Sequence, residues 1–418
     1  MPPDGPRRHG RGERGGVNAD GDRPGSGRRR SRGHQCRDRG GPGGRAGGSG
    51  RRTAIAWRPP SGVWTNGSVL SARLDVEAHE AGVQILSGRG VWGIWSGWIV
   101  YLDGGDDSQI RARALILATG STERSYVLPN WTLPGVLTAG AVQSLLHVYR
   151  VRPGDSAVMI GADSSAVLVA RALMLAGVRV SGVLLPPPGT PGGPSTGEAI
   201  QGLARFKGTA ASLELDRVGQ LLSSKTGVMS PADFPQSGLE AFDVPIMLRS
   251  AVTAIIGETH VTAVEAVDLT ADGEPTGRPR TLDVDTVVLC AGLSPLCELS
   301  QMIGGRVAHI VELGGTVPIH SPDLEATVDG VFLAGSMIGL QDAAVALAQG
   351  RLAGLMACKR LGALRGTGAT ERLQRARDAL AESRRGAIPF LPGASEGRRR
   401  VYELWRAAAD DPKELHSG

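Results

Sequence analysis

Lysine is nearly missing from this chain. It occurs only as Lys207, Lys225, Lys359 and Lys413, so 42 of the 46 basic residues are arginine. With 61 glycines, 26 prolines and abundant alanine, that bias is the mark of a GC-rich coding sequence. Cysteine is also scarce. Cys36, Cys290, Cys297 and Cys358 form no CxxC pair and no metal-ligand spacing, so no metal site is expected. Cys290 and Cys297, at a strand end and in the loop after it, read as packing residues, and a reducing, cytoplasmic setting fits. No apolar run reaches the roughly 18 to 20 residues needed to span a bilayer. No hydrophobic stretch follows Arg7 and Arg8, so neither a membrane span nor a secretion leader is expected.

The net charge of +5 is spread unevenly. Residues 1–53 hold 14 arginines against five acidic residues, a local +9, which leaves −4 for the rest. The folded region is therefore mildly acidic, and nucleic acid is not an expected partner for its surface. Residues 1–66 contain one isoleucine, Ile55, and no leucine or phenylalanine. Such a stretch buries too little apolar surface to offset its ordering entropy and is expected to be disordered.

From Val69 the texture changes. SVLSARLDVEAHEAG has helical spacing, GVQILSG is strand-like, and GVWGIWSGWIVYL and RARALILATG read as strands. SAVMIGADSSAVLVARALMLAGVRVSGVLL is a strand, a tight turn, a helix and a second strand, a βαβ unit of the size that nucleotide-binding folds use. DVPIMLRSAVTAIIGETHVTAVEAVDL suits an antiparallel meander. TLDVDTVVLCAG returns to a buried strand, and GVFLAGSMIGLQDAAVALAQGRLAGLMA is a strand, a glycine turn and a helix. Residues 363–418 are a polar, arginine-rich helical tail broken at IPFLPG.

The stretch from Leu115 reads LILATGSTERSYVLPNWTLPGVLTAGAVQSLL. It is similar to the flavoproteins with two dinucleotide domains, of pyridine-nucleotide-disulfide-oxidoreductase type. Within them it resembles the subgroup of opine oxidase A-type subunits, hydrogen cyanide synthase, sarcosine oxidase α and dye-linked proline dehydrogenase. The resemblance runs from about Val69 to Leu361. It implies an α/β fold of two Rossmann-like domains, the second inserted in the first, with a small antiparallel β meander. The expected division begins with a disordered segment at 1–66 and the first segment of an FAD domain at 67–145. An inserted nucleotide-binding-like domain at 146–280 follows, then the second segment of the FAD domain at 281–362 and a helical tail at 363–418.

Candidate cofactor contacts follow. A strand ending in Ala118, Thr119 and Gly120 lets backbone approach a cofactor, because glycine has no Cβ. The strand VFLAG delivers Gly335, and a helix beginning near Gln341, Asp342 and Ala343 turns its positive end inward, where an electron-rich flavin edge would sit. Ser336 stands where the family usually places an aspartate on the ribityl chain. In the inserted domain the G-x-G-x-x-G turn is Gly161-Ala162-Asp163-Ser164-Ser165-Ala166, with only its first glycine kept. Asp163 puts negative charge where backbone should meet the pyrophosphate. The next strand ends VLLPPPG, with no acid to read a ribose. FAD is therefore the expected cofactor and NAD(P) is not favoured; another ligand, such as an adenine nucleotide, stays open. Trp92, Trp95 and Trp98 are expected to pack around a hairpin, and His147 to be structural. No catalytic acid or base stands out, since in this class the flavin does the chemistry.

A family member should open with a strand, a glycine-rich turn and a strand closing on an acid, and residues 1–66 show no such succession. The codons of His34 to Arg39, with arginine as CGN, permit Thr-Ser-Val-Val-Ile-Glu when read one base downstream. That is a strand closing on an acid, the pattern expected of a frame-shifted FAD-binding start. The resemblance implies an FAD-dependent oxidoreductase, the electron-handling subunit of an amino-acid, opine or amine dehydrogenase complex, impaired if its first glycine turn is lost. Its partners would be a small-molecule substrate or electron acceptor and a second flavin subunit. The rival readings are a non-catalytic scaffold subunit, and an Arg/Gly-rich tail that binds nucleic acid by charge.

Overall fold

The computed structural model describes residues 56–57, 65–104, 108–209, 212–224, 227–387 and 390–410. The expected disordered segment, and with it the shifted-frame reading, lies almost wholly outside them. Helix α1 (Gly67–Glu80) forms where the helical spacing predicts it. The strand expected at GVQILSG does not form: residues 83–86 are coil, with Val83, Ile85 and Leu86 exposed. Among the described residues no strand lies beside this stretch to accept its backbone hydrogen bonds, and an apolar run without a ladder stays coil.

Strands β1 (Val91–Trp95), β2 (Ile99–Leu102) and β3 (Gln109–Arg111) form an antiparallel meander. Trp92, Trp95 and Tyr101 pack their rings against one another on it, with centroids 4.8 to 5.3 Å apart, as hairpin packing requires. Strand β4 (Leu115–Leu117) follows. Its Leu115 and Leu117 are buried while Ile116 is 44% exposed, because successive side chains point to opposite faces of the strand and one face packs on the core.

Next come β5 (Val136–Thr138), α2 (Ala139–Gln143), β6 (Ser156–Ile160), α3 (Ser164–Leu175) and β7 (Arg179–Leu185). After helix α4 (Thr196–Ala204), strands β8 (Val244–Ile256), β9 (Ala263–Leu269), β10 (Pro275–Asp283) and β11 (Thr286–Leu289) complete an eight-stranded sheet. Its order is β10-β9-β8-β7-β6-β11-β5, with the short strand Leu239–Ala241 beside β8. The five strands β8, β7, β6, β11 and β5 run parallel, and β8, β9 and β10 make the expected antiparallel meander. The sheet draws β5 from before residue 146 and β11 from after residue 280. Every residue of β6 is buried, as a central parallel strand with both faces covered demands. Ala157 and Met159 face the core under α3, and Val158 and Ile160 face the opposite core with Val252 and Val287.

The second body of the fold is built on β4 and β12 (Val331–Leu333), which pair in parallel, Leu115 beside Val331 and Leu117 beside Leu333. Helix α5 (Ala343–Arg360) buries Val345, Leu352, Ala353 and Met356 against that pair. The arginine-rich tail forms two helices, α6 (Thr367–Arg385) and α7 (Ala394–Asp410). Leu373, Ala376 and Leu380 of α6 complete this core, and Arg377 clasps Asp323 through two bonds of 2.7 and 2.8 Å. Among the described residues, no helix is long and apolar enough to cross a membrane.

Candidate functional site

Both bodies present the same local design: a parallel strand runs into a glycine, and a helix starts just beyond it. At the first mouth, β4 ends in Ala118, Thr119 and Gly120, and β12 ends in Ala334 and Gly335. Gly120 has φ +78° and Gly335 φ +81°, a region that L side chains rarely adopt. No heavy atom lies within 4 Å of the point where a Cβ would stand at either glycine. Backbone at both strand ends is thus bare toward open space.

The mouth is held rigid from behind. The Thr119 hydroxyl donates to the Leu296 carbonyl at 2.5 Å and lies 3.6 Å from Met337 Sδ, on the turn that opens with Gly335 and Ser336. The Gly335 N–H donates to Gln349 Oε1 at 2.8 Å, and Gln341 Nε2 donates to the Gly335 carbonyl at 2.9 Å. Gln349 Nε2 in turn donates to Gln341 Oε1 at 3.0 Å. Two side-chain amides therefore hold both backbone polar groups of one glycine, and Gln349 is only 1% exposed. Helix α5 is N-capped by the Asp342 carboxylate, which accepts from Val345 N at 3.0 Å. Ala343 opens the helix, whose first-turn N–H groups have no intrahelical partner.

Of the residues singled out in the sequence, Ala118, Thr119, Gly120, Gly335, Ser336, Gln341, Asp342 and Ala343 all lie at this mouth. Gln349 escaped the sequence reading. Its signal was faint: a long amide among alanines and leucines on a buried helical face, two turns after Gln341.

At the second mouth, β6 runs into Gly161, whose N–H donates to the Leu184 carbonyl at 2.8 Å. Gly161 has φ +108°, and a Cβ there would stand 2.1 Å from the Cys290 carbonyl oxygen and 3.1 Å from the Tyr126 ring. Asp163 caps α3: its Oδ1 accepts from Ala166 N at 2.9 Å and from the Ser165 hydroxyl at 2.5 Å. Ser164 and Ser165 form the first turn of α3. Burial, and secondarily the charge of Glu123, push the Asp163 carboxyl above its ordinary range. Burial likewise pushes up the Tyr126 phenol and the Cys290 thiol, with Asp163 adding to both. Glu123 itself accepts from Gly140 N and from the Thr138 hydroxyl, each at 2.6 Å, at the start of α2. Glu123, at the end of the strand Ser121–Glu123, and Tyr126, in the coil after it, reach this mouth from the segment that follows β4, which no local spacing could reveal. Cys290, Cys297 and Cys358 are free thiols, and among the described residues no His/Cys/Asp/Glu group could hold a metal ion.

His147 lies on a π-helical turn after α2, away from either mouth's hydrogen bonds. His320 is buried, bonded through Nδ1 to the Ser321 carbonyl at 2.7 Å and set edge-on to Tyr402. Burial drops its pKa to about 4, so it is a neutral core histidine at neutral pH.

Comparison with known proteins identifies the design. The family model for pyridine nucleotide-disulphide oxidoreductases matches residues 50–350. The A-type subunit of opine oxidase from Agrobacterium tumefaciens (strain Ach5) is 30% identical over 253 residues, 60% of this chain and 44% of that protein. The hydrogen cyanide synthase subunit HcnB of Pseudomonas protegens is 26% identical over 304 residues, 72% of this chain and 60% of that one. The chain thus spans about half the length of the curated relatives it matches. Among solved structures, L-proline dehydrogenase from P. horikoshii superposes with a TM-score of 0.51 at 17% identity, over 77% of this chain and 50% of that one, which shows a shared fold.

Proposed function

The chain belongs to the pyridine nucleotide-disulphide oxidoreductase family, whose members are FAD-dependent oxidoreductases, and from that premise we propose that it is the electron-handling subunit of an amino-acid, opine or amine dehydrogenase complex. The observation that carries the reading is the first mouth: two bare glycines at adjacent parallel strand ends, facing the N-terminus of α5. The relatives named as subunits of an opine oxidase and of hydrogen cyanide synthase support a multi-subunit setting, and we propose a second flavin subunit as the partner. A small molecule carrying an oxidisable C–N bond is the substrate class, and electrons leave to an acceptor or to that partner.

The residues at the first mouth fit the flavin end of FAD. Gly120 and Gly335 leave space that a Cβ would fill, and the first turn of α5 offers N–H groups and a positive dipole end to an electron-rich edge. When bound, FAD supplies the two-electron chemistry. The chain's own contribution is positional. Gln349 and Gln341 fix the N–H and carbonyl of Gly335, Thr119 fixes the β4 end, and Ser336 would supply a hydroxyl to the ribityl chain. The pyrophosphate end of FAD has no counterpart among the described residues, and the one G-x-G-x-x-G spacing in residues 1–66, Gly10 to Gly15, follows Arg7, Arg8 and His9 where the motif needs an apolar strand. That gap favours, as the second reading, a scaffold subunit that keeps the fold without flavin.

Flavin content decides between them. The purified chain, reconstituted with excess FAD and desalted, should keep flavin in near-equal molar amount by its visible absorbance. Gly335→Leu, which fills the open space at the mouth, should lose that absorbance while retaining its circular dichroism. A folded wild-type chain that keeps no flavin would leave the scaffold reading standing.

A further inference from the structure

The inserted domain has the skeleton of a dinucleotide site. Its G-x-G-x-x-G position lies at the carboxyl end of β6, and the chain leaves β6 for β7 on one side while β11 lies on the other. That is a switch point, where an open parallel sheet leaves a crevice for a ligand. A nicotinamide dinucleotide would rest its pyrophosphate there, against the N–H groups of α3, over a backbone kept bare by the second glycine of the motif.

Asp163 stands at that second position, and the structure shows where its carboxylate goes. One oxygen takes the Ala166 N–H and the Ser165 hydroxyl, donors that a phosphate would use. The other points across the crevice: Oδ2 lies 3.9 Å from the place a Cβ on Gly292 would occupy, in the turn after β11. The carboxylate therefore spans the crevice from the helix end to the facing turn. Arg124, whose Nη2 comes within 3.3 Å of that same point, and Gly292, whose carbonyl accepts from Arg124 N at 2.9 Å, close the opposite wall. Glu123 adds a second negative charge close enough to act on Asp163. At the other end of the would-be ligand, β7 runs into Pro186, Pro187 and Pro188, which offer neither an acid for a ribose hydroxyl nor an arginine for a 2′-phosphate. The Pro186 ring turns back onto Gly193, where an added Cβ would meet its Cγ at 2.7 Å.

We infer that the Asp163 carboxyl is seated in the pyrophosphate position of the inserted domain, on the donors a phosphate would use, and that it is the specificity-determining residue that excludes nicotinamide dinucleotides from this chain. The seat was made for a ligand's oxygens, and the protein fills it with its own. The same carboxylate caps α3, so the residue keeps the helix start in order while closing the crevice. With the inserted domain closed, reducing equivalents enter and leave at the first mouth alone; that consequence rests on the flavin reading, but the closure itself does not.

The test reads dinucleotide binding directly, by saturation-transfer NMR and calorimetry with NADH and NADPH at about 1 mM, the weak end of measurable affinity. The samples are the wild-type chain, Asp163→Gly and Asp163→Ser. Serine keeps a capping side chain without the charge, so it reports even if the glycine variant fails to fold. The wild type should show no saturable binding, and at least one folded variant should gain it, with affinity improved tenfold or more. Saturable wild-type binding overturns the inference. So does a pair of folded variants that bind no better than wild type. Flavin content, measured on the same samples, enters neither outcome, so failure here is distinct from failure of the proposed function.

Discussion

The two mouths of this protein are built alike and finished differently. Each sets a glycine of positive φ at the end of a parallel strand and a helix capped by an aspartate just beyond, Gly335 with Asp342 in one case and Gly161 with Asp163 in the other. At the first, the glycine faces open space; at the second, the place of its missing Cβ is taken by the Cys290 carbonyl and the Tyr126 ring. One glycine is bare toward open space and the other toward the protein's own backbone. Strand, turn and helix thus make a mouth, but what occupies the few ångströms in front of the glycine decides whether it can receive anything.

Matched substitutions should break the symmetry hardest. Gly161→Ala forces a Cβ to within 2.1 Å of a carbonyl oxygen at φ +108°, so the β6 and β11 ends must separate. The expected cost is roughly 3 kcal/mol or more, read as a lowered denaturation midpoint. Gly335→Leu carries only the backbone strain of its positive φ, on the order of 1 to 2 kcal/mol, and its loss falls on flavin retention. If Gly335→Leu proves as destabilising as Gly161→Ala, the first mouth is not open.

Acid separates the two bodies in another way. His320 belongs to the β12 side, where it bridges to Ala326, and burial holds its pKa near 4 against 6.5 in the unfolded chain. The unfolded state therefore binds the proton more readily. Stability from neutral His320 is complete above about pH 6.5 and is lost as pH falls toward 4, by roughly 3 kcal/mol over that window. His320→Phe should be less stable at neutral pH, since the Ser321 carbonyl loses its donor, yet show a flatter dependence between pH 6.5 and 4. Urea titrations at about pH 7, 5.5 and 4.5 read the slope, and equal slopes for variant and wild type would remove His320 from the account.

Sequence logic reached the first mouth well because its residues are local. Ala118 to Gly120 and Gly335 to Ala343 are contiguous runs, and strand–glycine–helix is written in order along the chain. The βαβ unit at 156–185 was legible for the same reason: an unbroken apolar strand, a capping aspartate and helical spacing follow one another. What escaped depends on distance along the chain. Tyr126 and Glu123 meet Asp163 across some 40 residues, and β5 and β11 join one sheet from segments 150 residues apart. GVQILSG has the composition of a strand and, among the described residues, no strand to pair with, and its Val83, Ile85 and Leu86 stay exposed. Propensity names a strand; only a partner's free edge makes one.

The finest distinction between the mouths is the amide clamp, which the second lacks. Gln349 sits at 1% exposure and donates and accepts with Gln341 while holding the Gly335 N–H. Gln349→Leu has nearly the same volume and keeps the helix, but it leaves the Gly335 N–H and the Gln341 amide without that partner. Unsatisfied buried groups cost about 1 to 3 kcal/mol, so a modest loss of stability is expected. The sharper consequence is positional. With its peptide free to rotate, Gly335 no longer presents bare backbone at a fixed angle, and flavin should be held more weakly, by a factor of about ten for each 1.4 kcal/mol of orientation lost. Gln349→Glu separates the two effects, because a carboxylate still accepts from the Gly335 N–H and from Gln341 Nε2. If it retains flavin as wild type does while the leucine variant loses it, the clamp acts through the Gly335 peptide. If both variants retain flavin fully, the amides only fill the core, and the openness of the glycine alone distinguishes one mouth from the other.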